Sequence, residues 1–198
     1  MQYLYLASRS PRRRELLQQA GIPFRLIDIE VDESVLEDEA AADYVERLAR
    51  DKARAGVASQ GEAAQSAPVL AADTTVAEGT HILGKPETPA EAVDMLMHLS
   101  GREHTVYTGI AMALGDRLES RVVATRVCFA SFRRADAERY VATGEPMDKA
   151  GAYGIQGFGG VLVERIEGSY SNVVGLPVYE TATLAAEFGV ACWQTETL

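Results

Sequence analysis

Four arginines, Arg9, Arg12, Arg13 and Arg14, fall within six residues of a chain whose formal net charge is -10. They follow the apolar run Tyr3-Leu4-Tyr5-Leu6-Ala7, which reads as a strand, and open what reads as a helix. Ser10 suits the N-cap, Pro11 the first helical position, Leu16, Leu17 and Ala20 an apolar stripe, and Gly21 the stop. Free N–H groups already make a helix N-terminus positive, so each exposed cation there costs roughly 0.3–1 kcal/mol. A bound anion explains the clustering. Free N–H groups, the hydroxyls of Ser8 and Ser10 and guanidinium forks together suit a phosphate. The alternative is a solvated basic helix start.

Lys52 is a second anomaly. It is the i+7 member of the apolar stripe Val45, Leu48 and Ala49 on a helix read over Asp43–Val57. Either its head snorkels to solvent or it meets an anion in a cleft. Asp73 reads as the end of a short strand, Val69–Ala72, followed by Thr74-Thr75. Residues beyond the carboxyl end of a strand are where α/β proteins place function, although an aspartate there also caps turns. Glu33 lies in an acidic stretch with Glu30, Asp32, Glu37, Asp38 and Glu39. Asp73 and Glu33 have the hard oxygens a divalent ion takes, or one of them activates water. Lys85 sits between Gly84 and Pro86 outside any Walker pattern. Gly151–Gly160 holds five glycines in ten residues, with Tyr153, Gln156 and Phe158 among them and Asp148-Lys149 just before. Glycine lets a backbone approach a ligand, and an amide reads a base edge.

The elements that must position these residues alternate between strand and helix. A strand is expected at Phe24–Ile29, a loop at Gln60–Pro68 and a hairpin over Thr75–Leu83. Thr88-Pro89-Ala90-Glu91 is a capping box opening a helix to Leu99. Two long strands, His104–Leu114 and Leu118–Ala130, flank Gly115-Asp116. A helix at Ala135–Thr143, a strand at Val161–Ile166 and a helix at Val178–Phe188 complete the chain. Val173–Pro177 reads as apolar and structural. The pattern predicts an α/β fold with a central mixed β-sheet flanked by helices.

At 198 residues the chain fits one domain, residues 1–198, or one domain with two lobes around a cleft. A charge of -10 argues against long nucleic acid but accommodates a small polyanion met by local positive charge and metal ions. No run approaches the ~20 apolar residues of a membrane span. The absence of a signal-peptide pattern and two distant cysteines, Cys128 and Cys192, point to a cytoplasmic protein with reduced thiols. His81, His98 and His104 have no zinc spacing.

The blocks Leu6-Ala-Ser-Arg-Ser-Pro-Arg-Arg-Arg-Glu-Leu-Leu17, Ala72-Asp-Thr-Thr-Val76, Gly84-Lys-Pro86, Leu99-Ser-Gly-Arg102 and Gly151-Ala-Tyr-Gly-Ile-Gln-Gly157 together resemble the Maf family of nucleotide pyrophosphatases. The resemblance spans nearly the whole chain. It implies a two-lobed Maf/ITPase-like fold, cleavage of a nucleoside triphosphate substrate between its α and β phosphates, a divalent metal (Mg2+ or Mn2+), a cytoplasmic location and often a homodimer. The family's catalytic aspartate, the proton acceptor, falls on Asp73, its phosphate-handling positions on Ser8, Arg13, Lys52 and Lys85, and its acidic position near the metal on Glu33. The subgroup-determining positions are Arg12, Thr74 and Gln156, which resemble the dTTP/UTP pyrophosphatase subgroup rather than the 7-methyl-GTP subgroup. On this reading Gln156 pairs a pyrimidine by donating and accepting, Arg12 donates to a carbonyl, and Thr74 leaves room beside the base. A binding or regulatory role in septum formation with little catalysis is the reading from a different class; retained Asp73, Lys52 and Lys85 favour the enzyme, since a pure binding module needs no base.

Overall fold

The computed structural model describes residues 2–61 and 66–194; positions 62–65 of the expected Gln60–Pro68 loop lie outside them. Among the described residues, seven strands form one mixed sheet in the order β2-β1-β3-β5-β6-β7, with β4 on β3. In chain order these are β1 (Leu4–Ala7), α1 (Pro11–Gln19), β2 (Phe24–Leu26), α2 (Ala41–Ser59), β3 (Val69–Glu78) and β4 (His81–Leu83). Then follow α3 (Pro89–Leu99), β5 (Glu103–Leu114), β6 (Arg117–Phe129), α4 (Arg134–Val141), β7 (Val163–Glu167), α5 (Tyr170–Val174) and α6 (Val178–Glu187). Strands β1, β2 and β3 pair in parallel through helical crossovers, and the other pairings are antiparallel. The sequence's mixed sheet is therefore what forms.

Strand alternation assigns the layers, because successive side chains point to opposite faces. On one face Ala7, Val69, Ala71, Ala111 and Ala113 meet Ala49 and Ala53 of α2. On the other, Leu4, Leu6, Leu70, Ala72, Ile110 and Met112 meet Leu16 and Leu17 of α1 and Leu184 and Ala185 of α6. A second core joins Leu96 and Leu99 of α3 and Ala137 and Val141 of α4 to Val76, Val106, Val127, Phe129 and Tyr153. One sheet thus carries two lobes with a cleft between them.

Three expectations change. Strand β3 does not end before Asp73; it runs through it, held to β5 from Val69 to Ala77. Its opposite edge pairs β1 only at Val69–Ala71 and β4 only at Val76–Glu78, so Asp73 lies where one edge of the strand is open. The second strand stops at Leu26, opposite Leu6 near the end of β1, and Asp28 beyond it makes a two-pronged contact with Arg9. Between the strand expected at Val161–Ile166 and the helix expected at Val178–Phe188 a further short helix, α5, forms, capped by the Ser169 hydroxyl, which accepts from the Asn172 N–H at 3.2 Å. Five residues are too few to show a helical period. The capping box holds at Thr88, whose hydroxyl accepts from Glu91 N, while Glu91 reaches Glu87 N instead of the cap. Leu99–Arg102 is structural: Ser100 exchanges hydrogen bonds with the backbone of Phe132 at 2.9 and 3.1 Å.

Helix α2 presses its backbone onto β5 at Gly109, the residue opposite Asp73 in the ladder. A Cβ there would lie 2.5 Å from the Val45 carbonyl carbon and 2.8 Å from Glu46 N. Backbone cannot yield as a side-chain tip can. Gly109→Ala should cost at least about 2 kcal/mol through overpacking, lowering Tm by roughly 4–8 °C in thermal denaturation; an unchanged Tm contradicts this account of how α2 is seated.

Candidate active site

The cleft between the lobes has a volume of about 1060 Å³ and is lined by the end of β1, the start of α1, the segment from Ile27 to Glu33, and the glycine-rich segment. Ser8, Arg12, Arg13, Glu33, Lys52, Asp73, Thr74, Lys85 and Gln156 all line it. Every site residue expected from the sequence is therefore brought to one cavity.

At its foot the Lys52 ammonium lies 2.7 Å from Asp73 Oδ1 and 2.6 Å from Glu33 Oε1. The Lys52 side chain is 10% exposed and that of Asp73 is 13% exposed. Removing an ammonium from water costs several kcal/mol unless it is paired, and two carboxylates pair it here. This places Lys52 on the cleft side of its two readings, not the snorkelling side. Burial pushes the Glu33 carboxyl up, but the hydrogen bond from Lys52 and the charges of Lys52, Lys85 and Arg13 outweigh it and hold Glu33 below its ordinary value.

Alternation along β3 divides the chemistry. Asp73 shares the parity of Val69 and Ala71 and so faces α2, the helix that carries Lys52. Thr74 shares the parity of Leu70 and Ala72 and faces α1, the helix that carries Arg13. Arg13 donates from Nε to Gly175 O at 2.8 Å, from one terminal nitrogen to Ser8 Oγ and from the other to Thr74 Oγ1, both at 3.1 Å. Thr74 Oγ1 also lies 2.9 Å from Thr108 Oγ1. Thr74 thus braces Arg13. Burial pulls the Arg13 pKa down, with the charge of Asp73 opposing. Ser10 occupies the cap position of α1 without a side-chain cap bond, and its N–H donates to Ser8 Oγ at 3.3 Å. No acidic residue occupies the first turn of α1, so this positive helix end stays available to an anion. Arg12 meets Asp148 at 3.3 Å, and Lys85 and Gln156 are exposed at the cavity wall.

The sequence reading missed three contributors, Gly175, Tyr44 and Glu145, and left Asp148 without a role. Gly175, inside the run read as structural, supplies the carbonyl that fixes Arg13. Tyr44 donates to Glu33 O at 3.0 Å; burial and then the carboxylates of Asp73 and Glu33 push its phenol up to about 12. Its place one residue before Val45 on α2 was the available signal. Glu145 and Asp148 hold the glycine-rich segment and Arg12. At Gly154, Gly157 and Gly159 the close approach is to the protein itself: a Cβ at Gly157 would lie 2.6 Å from Glu145 Cδ, and one at Gly154 2.6 Å from Lys149 Cε.

Comparison with known proteins gives one consistent picture. A family model described as Maf-like protein matches residues 3–188. The dTTP/UTP pyrophosphatase of Methylobacillus flagellatus is 56% identical over 191 residues, covering 96% of this chain and 95% of that protein. The dTTP/UTP pyrophosphatases of Chromobacterium violaceum and Pectobacterium atrosepticum are 53% and 52% identical, each covered over 94% of its length.

Tyr153, on the cleft wall, bonds through its hydroxyl to His104 Nε2 at 2.8 Å. His104 is 2% exposed, and burial lowers its pKa from 6.5 to about 4. The unfolded chain takes up this proton more readily than the folded one, so the contribution of neutral His104 is complete above about pH 6.5 and is lost as pH falls toward 4. Urea unfolding of His104→Gln between pH 7 and 4.5 should show a shallower loss of stability than wild type. Equal slopes contradict a neutral buried His104.

Proposed function

Since the chain belongs to the Maf-like family, we propose that it is a nucleoside triphosphate pyrophosphatase, hydrolysing dTTP and UTP to the monophosphate and pyrophosphate. The observation that carries this reading is the Lys52 ammonium clasped by Asp73 and Glu33 at the foot of a cleft whose other wall is Arg13 and an open helix N-terminus.

Asp73 accepts the proton of the attacking water, with Lys52 fixing its carboxylate through Oδ1. The water oxygen bonds to the α phosphorus and the bridge to the β phosphate breaks, so pyrophosphate leaves with the electron pair. Arg13, Ser8, Lys85 and the first turn of α1 hold the phosphates and offset the charge that develops on them. Arg13 arrives pre-oriented by Ser8, Thr74 and Gly175, which removes part of the ordering cost.

A divalent cation, Mg2+ or Mn2+, suits these residues. Six cationic and eight acidic side chains line the cleft, so its own charge cannot neutralise a triphosphate. Glu33 and Asp73 already converge on one cation, the Lys52 ammonium, and they would hold the metal jointly with substrate oxygens. Bound there, it would screen the phosphates and polarise the bond that breaks. Gln156 and Arg12 are the side chains for reading the pyrimidine, Gln156 by donating and accepting at once and Arg12 by donating to a carbonyl. The intact set of Asp73, Lys52 and Glu33 favours catalysis over a role in binding alone.

Incubating the protein with UTP and Mg2+ should release UMP and pyrophosphate; orthophosphate as the first product would overturn the assignment. Asp73→Asn, which keeps size but removes charge, should lower kcat by at least ~10². If raising the metal concentration restores that loss, Asp73 acts mainly as a metal ligand; if it does not, Asp73 is the base.

A further inference from the structure

Glu145 forms no part of the phosphate machinery, yet its carboxylate is satisfied on both oxygens. Oε1 accepts from Tyr140 Oη at 2.7 Å and from Gly159 N at 3.0 Å, and Oε2 accepts from Phe158 N at 2.9 Å. Tyr140 Oη accepts in turn from Gly154 N at 3.0 Å. These donors bracket Gln156 on both sides. The Glu145 carbonyl accepts from Lys149 Nζ at 2.6 Å, and Asp148, in the same short helical turn, ties that turn across the cleft to Arg12. Glycine is needed at Gly157 because a Cβ would overlap the Glu145 carboxylate. Burial pushes the Glu145 carboxyl up, but the N–H of Gly159, the Tyr140 hydroxyl and the N–H of Phe158 outweigh it and keep it ionised at neutral pH.

Resting on the reading of Gln156 as a base contact, we propose that Glu145 is the positioning residue for pyrimidine recognition. Its carboxylate pins Gly154–Gly159 so that Gln156 is presented to the cleft. A glycine-dense segment has more backbone freedom to lose than any other, so without a pin Gln156 would be spread over many positions. Hydrogen bonds to a charged acceptor are the stronger kind, and here two run from consecutive backbone N–H groups to one side chain. Glutamine at 145 keeps the shape but turns one acceptor into a donor facing an N–H.

The test compares Glu145→Gln, Tyr140→Phe, Gln156→Ala and the double variant Glu145→Gln/Gln156→Ala with UTP and CTP. Glu145→Gln should raise KM for UTP about tenfold, the scale of a lost charged hydrogen bond, while kcat stays within about threefold and UTP loses ground to CTP. Tyr140→Phe should shift KM the same way by less, and it decides the matter if Glu145→Gln does not fold. The double variant should be no worse than Gln156→Ala, since the two act through one contact. A folded Glu145→Gln, or a Tyr140→Phe standing in for it, with wild-type KM and preference overturns the proposal, as do fully additive losses. If Gln156→Ala itself keeps wild-type base preference, the base-contact reading fails and takes this proposal with it; if only Glu145→Gln is silent, that reading stands and the proposal alone falls.

Discussion

The structure depends on a buried ammonium. Lys52 sits on the inward stripe of α2, where aliphatic residues belong, and its head meets Asp73 and Glu33 within 2.7 Å. Unpaired, it would cost several kcal/mol; paired, it draws together α2, β3 and the irregular segment that carries Glu33. Lys52 opposes the charge of both carboxylates and fixes the point on which they converge. Tyr44 and Arg47 add to the same end by binding the backbone carbonyls of Glu33 and Ser34.

A second constraint is the parity of β3. Because β1 leaves its edge at Ala71 and β4 joins it only at Val76, Asp73 and Thr74 between them reach the cleft. Adjacent side chains there point to opposite faces, so Asp73 and Thr74 serve different partners: the lysine of one helix and the arginine of another. One dipeptide thereby anchors Lys52 on one side and Arg13 on the other. Ligand sites form where strand edges diverge for the same geometric reason.

Much of this is legible in the sequence, because it appears as residues in the wrong place. Arginines at a helix N-terminus and a lysine on an apolar stripe violate local preferences, and both line the cleft. The mixed sheet follows from alternation of strand and helix patterns. Contributors acting through the backbone are not legible in this way. The Gly175 carbonyl has no side-chain signature, and Thr74 looks like any strand threonine until Arg13 is seen to bind it. The course of β3 through Asp73 is hidden because a charge in mid-strand looks like a terminus; the open edge and the Lys52 ammonium make it tolerable. The glycines of Gly151–Gly160 could be noticed, but not that three of them yield to Glu145, Lys149 and Tyr140, since those contacts are fixed only once the chain has folded back.

The central claim is that the cluster of Lys52, Asp73 and Glu33 directs water to the α phosphorus. Hydrolysis of UTP by the wild-type protein in ¹⁸O-water, followed by mass spectrometry of both products, tests it most directly. One solvent oxygen in UMP and none in pyrophosphate is the result expected. Label in the pyrophosphate would place the attack on the β phosphorus and contradict the account.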